Sequence, residues 1–140
     1  MAIRHMDVLF VGMEKAAYIA AIEAIDPWMH NHGIETGRIS MTYFDTGFGN
    51  AARLAANLPQ LSAIFIANEV QMQAVVMQAA CRKIAEILID RSKKPLIVLD
   101  GSAIDAVDAF TEQGFNVDLK PDTGTVEEAL KSLIVEKEKA

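Results

Sequence analysis

Five short, nearly continuous apolar runs recur along the chain, and a segment with helical spacing follows each of them. An apolar run of this length, without alternating polar residues, is typical of a strand that is covered on both faces. The stretches "DVLFVG" and "PLIVLDG" show the pattern most clearly. We therefore predict five buried strands, at residues 7–12, 37–46, 61–68, 95–101 and 115–120.

The segments between these runs place apolar residues three or four positions apart, as an amphipathic helix requires. The first helix is expected to stop at Asp26-Pro27, because proline lacks an amide hydrogen, or to pass there into a second short helix capped by Asp26. Ser102 is predicted to cap the fourth main helix, and Gly114 to end it. We predict helices at residues 13–25, 27–32, 50–58, 70–91, 103–113 and 126–139.

Five alternating strand–helix units favour a single architecture. Parallel strands joined by helical connections form a sheet with helices on both faces, and right-handed crossovers leave few topologies. We expect an α/β fold, a three-layer α/β/α sandwich whose five-stranded parallel sheet has the order 2-1-3-4-5. The chain contains no repeat and no long linker, so residues 1–140 are predicted to form a single domain.

Composition and charge exclude several classes of protein. Hydrophobic residues make up 51% of the 140 residues and charged residues 23%, which is a globular composition. The formal net charge of −6 argues against nucleic acid or an anionic membrane as a partner. No apolar run reaches the ~18 residues of a membrane span, and no signal peptide is recognisable. Because Cys81 is the only cysteine, no internal disulfide is possible, and we expect a cytoplasmic protein.

The most probable place for a ligand follows from the fold class. In an open parallel sheet, ligands bind beyond the carboxyl ends of the strands, near the point where the strand order reverses. The loops at those ends contain glycines, acids, amides and a lysine. We predict the ligand-binding residues at this edge to be Gly12, Glu14, Thr46, Gly47, Gly49, Asn50, Asn68, Glu69, Asp100, Ser102 and Lys120.

The stretch "FDTGFGNAARLA" lies between the second strand and an alanine-rich helix. Gly47 and Gly49 would let backbone amides approach a phosphate group at a helix N-terminus. The letters resemble the T-G-x-T-G-N-T loop that holds the flavin phosphate in flavodoxins, although that loop follows the first strand and has more hydroxyls. A small phosphate-containing ligand at residues 46–50, such as a nucleotide or a flavin, is one hypothesis. A tight turn whose glycines relieve positive φ angles is the other.

The second half of the chain resembles the end of a response-regulator receiver domain. Residues 95–134 contain an apolar strand ending near a serine, a helix that stops at a glycine, and a short strand that closes on Lys120-Pro121. Residues 45–68 are similar to the receiver segment that runs from the loop after the second strand through the third strand. The resemblance implies a flavodoxin-like fold and a regulatory role in signalling.

Two departures from the receiver pattern bear on the chemistry. Receivers hold magnesium with two acids after the first strand, whereas here that place begins with Gly12 and offers one acid. Receivers carry a phosphorylated aspartate at the end of the third strand, where this chain has Asn68. The resemblance therefore implies an atypical receiver that is not phosphorylated and works through protein contacts. It also implies that Lys120 pairs with Glu69 or Asp100.

Catalytic chemistry has weaker support. Asp45, Glu69 and Asp100 could converge as carboxylates for acid–base chemistry, which keeps a small enzyme as a third hypothesis. The single cysteine lies in mid-helix without a histidine base, and the pair His30 and His32 lacks a third metal ligand. The preferred interpretation has no catalytic residue and no metal site, and the sequence names no cofactor.

The predicted helix over residues 70–91 is apolar around a wider arc than one sheet face needs. The excess surface, with Met77 among interleaved glutamines, could contact another chain. We therefore expect either a helix that is entirely core or one that binds a protein partner, including a homodimer through residues 70–91.

Overall fold

Hydrogen bonds join the five predicted strands into one parallel sheet. The structure is a computed structural model and describes residues 5–35, 39–44, 51–120 and 125–139. Its strands are β1 (Met6–Val11), β2 (Ile39–Phe44), β3 (Leu61–Ile66), β4 (Leu96–Asp100) and β5 (Val117–Lys120). Its α-helices are α1 (Lys15–Asn31), α2 (Ala51–Ala56), α3 (Ala74–Leu88), α4 (Val107–Thr111) and α5 (Thr125–Lys139). A 3-10 helix (Gly101–Ala106) precedes α4.

The strand order is β2-β1-β3-β4-β5, and every neighbouring pair is parallel. This confirms the predicted α/β class, the order 2-1-3-4-5 and the flavodoxin-like architecture. After β2, which lies on one side of β1, the chain continues to β3 on the other side. The strand order therefore reverses between β1 and β3. The carboxyl ends of β1 and β3 therefore meet at the point where such sheets place ligands.

Side chains of the central strands alternate between two apolar layers, as a pleated strand requires. Val8 and Phe10 of β1 lie in the layer covered by α1 and α5, and Leu9 and Val11 lie in the layer covered by α2, α3 and α4. Phe10 stacks on Phe65 of the adjacent strand, with ring centroids 5.1 Å apart. Burial on both faces explains why the sequence of β1 is a continuous apolar run.

The prediction that the first helix stops at Pro27 was wrong, because α1 continues through Pro27 to Asn31. A proline inside a helix removes one backbone hydrogen bond and costs about 3 kcal/mol. Here Ile25 and Met29, on either side of Pro27, are both fully buried against the sheet. Burying two such side chains contributes roughly 1.5–3 kcal/mol each, which is enough to offset that cost.

The predicted helix over residues 70–91 is shorter in the structure, because α3 begins only at Ala74 and ends at Leu88. Gln71 has a φ of +55°, which interrupts helical geometry before α3. Met77, which one of the two alternatives placed at a contact with another chain, is buried in the core. Its neighbours Val75 and Val76 are the large apolar residues of this turn that are exposed.

The start of the segment after β4 also differs from the prediction. Asp100, not Ser102, is the N-cap, because its carboxylate accepts a hydrogen bond from the backbone N–H of Ser102. The first turns are 3-10 rather than α-helical, and α4 proper is short. Gly114, at a φ of +82°, ends α4 as predicted, since glycine adopts this conformation without a Cβ clash.

Arg91 has a structural role at the end of α2. Its guanidinium donates to the carbonyl oxygens of Leu58 (2.7 Å), Ala55 (3.2 Å) and Ala56 (3.2 Å) at the end of α2. The last carbonyls of a helix lack partners in a following turn, although that of Ala55 also accepts the Leu58 N–H at 3.2 Å, and a cation complements the helix dipole there. Arg91 thereby holds the short helix α2 against the end of α3.

Candidate functional site at the carboxyl edge

The described site candidates meet at the carboxyl edge of the sheet. Gly12 follows β1, Asn68 and Glu69 follow β3, and Asp100 ends β4 opposite the backbone of Lys120 on β5. The carbonyl of Gly12, which has a φ of +75°, accepts the N–H of Glu69 at 3.0 Å. The loops after β1 and β3 are thus hydrogen-bonded together at the point where the strand order reverses.

Part of the predicted site lies outside the described residues. These are Thr46, Gly47, Gly49 and Asn50 of the glycine loop, and Asp45 beside them. The side chain of Lys120 is also outside them, so its predicted pairing with Glu69 or Asp100 stays a prediction.

Asp100 is the buried acid of the edge, with 7% of its surface exposed. Its Oδ2 accepts hydrogen bonds from the Ser102 hydroxyl at 2.6 Å and from the Ser102 backbone N–H at 3.1 Å. Its Oδ1 is buried and has no hydrogen-bond partner in the described part of the chain. The two bonds to Oδ2 hold this carboxylate in place.

The Ser102 hydroxyl connects β4 to the loop after β3. While it donates to Asp100, its oxygen accepts the backbone N–H of Asn68 at 2.8 Å. One side chain therefore joins the ends of two adjacent strands and also orients the first residues of the 3-10 helix. We refer to Asp100, Ser102 and Asn68 below as the edge network.

The side chain of Asn68 forms two hydrogen bonds within its own loop. Its Oδ1 accepts the N–H of Met72 and its Nδ2 donates to the carbonyl of Met72, both at 2.9 Å. This pair of bonds closes a five-residue loop around Gln71, the residue with positive φ. Each polar group of the amide therefore makes one bond within the loop, which holds the side chain in a fixed orientation.

Glu69 and Glu14 make the described edge acidic. Oε1 of Glu69 accepts the N–H of Glu14 at 3.4 Å. Burial raises the pKa of the Glu69 carboxyl above its ordinary value, and the charges of Glu14 and Asp100 raise it further, while the bond from the Glu14 N–H acts in the opposite direction. An anion placed beside these acids would meet the same repulsion.

The sequence analysis did not single out the tyrosines beside this edge. Tyr43 of β2 donates its hydroxyl to the carbonyl of Met13 at 2.7 Å, and its ring stacks on Tyr18 of α1 at 4.7 Å. The Tyr18 hydroxyl donates to the carbonyl of Met41. These contacts fix the loop after β1 against β2. Only the alternation of polar and apolar residues in β2 could have suggested that Tyr43 faces a helix.

Other reactive side chains lie away from the edge. Burial raises the pKa of the Cys81 thiol to about 12, so it remains protonated at neutral pH. His30 lies in the last turn of α1, and the His32 ring stacks on Trp28 at 4.4 Å. Within the described ranges, no three His, Cys, Asp or Glu side chains are arranged to hold a metal ion.

Comparisons of the chain with protein-family models, curated proteins and solved structures gave no match. The fold and the edge network are therefore the observations from which function has to be inferred. None of the helices in the described part of the chain is both long and apolar enough to cross a membrane.

The raised pKa of Glu69 predicts a pH-dependent stability. The folded protein holds the Glu69 proton more tightly than the unfolded chain, whose carboxyl has a pKa near 4.5. The resulting stabilisation is present below that pH and is lost as the pH rises through the folded-state pKa. Glu69→Gln should therefore be more stable than the wild type at about pH 7, with the difference shrinking towards about pH 4. Urea unfolding across this range measures it.

Glu112→Gln is the matched control, because it removes one negative charge from an exposed position at the end of α4. It reports the general effect of lowering the net charge. Equal stabilisation by the two substitutions at neutral pH would contradict the assignment of a specific repulsion at Glu69.

Proposed function

We propose that this protein is a non-catalytic, receiver-like domain that acts through protein contacts. The observation that carries the proposal is the engagement of Asn68, which stands where receivers have the phosphorylated aspartate. Its amide has no carboxylate oxygen to attack a phosphoryl donor, and both of its polar groups bond to Met72. The loop that would present a phosphoryl acceptor is instead held closed by the same side chain.

Ser102 supports the same proposal. A serine acts as a nucleophile when an adjacent base removes its proton. Here the hydroxyl proton is donated to Asp100, and the oxygen accepts the backbone N–H of Asn68. Its partners are a structural carboxylate and a backbone amide, whereas a catalytic serine is hydrogen-bonded to a base such as histidine.

The two alternative functions have less support among the described residues. The phosphate-ligand hypothesis depends on residues 46–50, which lie outside them, and the described part of the same edge contains Glu14, Glu69 and Asp100. This acidity disfavours an anion. The enzyme hypothesis depends on Asp45 as well, which also lies outside the described residues.

We further propose that a second copy of the chain packs on the outer face of α3. Val76 and Ile87 are exposed on the same side of this helix, with Lys83 between them and Glu86 beside it. Two such helices packed antiparallel about a twofold axis bring the basic residues of one copy near the acidic residues of the other. Exposed valine and isoleucine would supply the apolar contact.

Acetyl phosphate with magnesium is expected to leave the mass of the protein unchanged, because Asn68 offers no carboxylate and is hydrogen-bonded within its loop. Intact-protein mass spectrometry after incubation measures this. A typical receiver domain treated in parallel shows that the reagent is active. A gain in mass of one phosphoryl group on this chain would contradict the proposal.

Sedimentation velocity at micromolar concentration is expected to show a dimer for the wild type. Ile87→Glu should shift the population to monomer, because it introduces a charge into the proposed apolar contact. Val135→Glu places the same charge at an exposed position on α5 and should remain dimeric. A wild-type monomer under these conditions would rule out the dimer.

A further inference from the structure

The two most exposed large apolar side chains of the described residues lie on neighbouring elements, α3 and the 3-10 helix, that begin at the carboxyl edge. Val75, in the first turn of α3, is 67% exposed, and Ile104, in the 3-10 helix, is 53% exposed. Val70, in the loop after β3, is 40% exposed. An apolar cluster at one edge marks an interaction site more strongly than single apolar residues scattered over a surface. We call these three residues the edge patch.

Hydrogen bonds join the elements that present the edge patch. The Gln78 side chain donates to the carbonyl of Asp105 at 3.0 Å. Val75 lies one helical turn before Gln78 on the same side of α3, and Ile104 directly precedes Asp105. The Asn68 N–H donates to the Ser102 hydroxyl on the same side of the sheet. The patch is therefore built on elements that are fixed relative to one another.

The two segments that present the edge patch carry acidic residues, and the nearest basic residue along α3 is Arg82, one turn beyond Gln78. Residues 67–81 and 100–114, which form the loop, the start of α3, the 3-10 helix and α4, contain no lysine, arginine or histidine. Asp105 and Asp108 are exposed, and Glu69 is half-buried at the base of the loop. The acids of these two segments are Glu69, Asp100, Asp105, Asp108 and Glu112.

We infer that the edge patch binds a basic amphipathic segment of a partner protein. Apolar side chains of that segment would cover Val75 and Ile104, and its lysines or arginines would face Asp105 and Asp108. This inference rests on the proposed protein-interaction function and specifies the chemistry of the partner. Opposite charges around a small apolar contact steer association and select the partner.

A second copy of the chain does not fit this surface. Two copies related by a twofold axis would bring the same acids together, and like charges across an interface disfavour association. The proposed dimer contact on α3, at Val76 and Ile87, lies on the opposite flank of the helix from Gln78 and the 3-10 helix. The two surfaces can therefore be tested separately.

A synthetic peptide of leucine and lysine, designed as an amphipathic helix of about 14 residues, is a suitable probe. A matched peptide of leucine and glutamate is the charge control. Each is titrated into the full-length, nitrogen-15-labelled protein and followed by two-dimensional NMR. We expect the lysine peptide to shift amide signals of residues 69–78 and 102–108, with an affinity that falls as salt is added. The glutamate peptide is expected to cause no such shifts.

Substitutions separate specific binding from general attraction to an acidic protein. Val75→Ser/Ile104→Ser should weaken binding of the lysine peptide by at least about tenfold, since two apolar contacts are lost. Ile19→Ser/Val135→Ser removes two exposed apolar residues from α1 and α5 and should leave the affinity within about twofold. Because all four positions are exposed, the variants should give folded spectra.

Several results would overturn the inference. They are binding of both peptides alike, binding of neither, shifts confined to other parts of the chain, or equal affinities for the two double variants. A wild-type dimer that Val75→Ser/Ile104→Ser converts to monomer would also overturn it, because a second copy would then cover the patch. Phosphorylation by acetyl phosphate would refute the proposed function separately, whatever the peptides do.

Discussion

The carboxylate of Asp100 is the interaction on which the carboxyl edge depends. It is buried at the end of β4, and its Oδ2 accepts two hydrogen bonds from Ser102. Hydrogen bonds to a charged group contribute about 1.5–3 kcal/mol each. Through the Ser102 hydroxyl the same carboxylate also positions the N–H of Asn68 after β3. The start of the 3-10 helix and the loop before α3 therefore share one anchoring group.

This anchoring has a consequence for function. Among the described residues of this edge, the side chains of Asp100, Ser102 and Asn68 bond to one another or to the backbone. Apolar side chains, Val75 and Ile104 above all, remain exposed beside them. This is why we propose recognition of another macromolecule over chemistry on a small ligand. The acids along the same elements then favour a partner of opposite charge.

The fold could be predicted because the patterns that mark its strands and its helices involve residues that are close in the sequence. Apolar runs and helical spacing were enough to give the strands and their order. The same reasoning failed where distant contacts decide the outcome. Pro27 lies inside α1 because Ile25 and Met29 are buried against the sheet, and α3 begins late because Asn68 bonds to Met72. Residue type and spacing reveal neither contact.

The site was predictable in position but not in its internal bonding. The rule for parallel sheets placed Gly12, Asn68, Glu69 and Asp100 at one edge, and the structure has them there. It could not show that Asp100 rather than Ser102 is the cap, since the two lie only two positions apart.

Stability of Ser102→Ala, measured by urea unfolding against Ser132→Ala on the exposed side of α5, tests the edge network most directly. We predict a loss of about 1–3 kcal/mol for Ser102→Ala and less than about 0.5 kcal/mol for the control. Equal stabilities of the two variants would contradict the account.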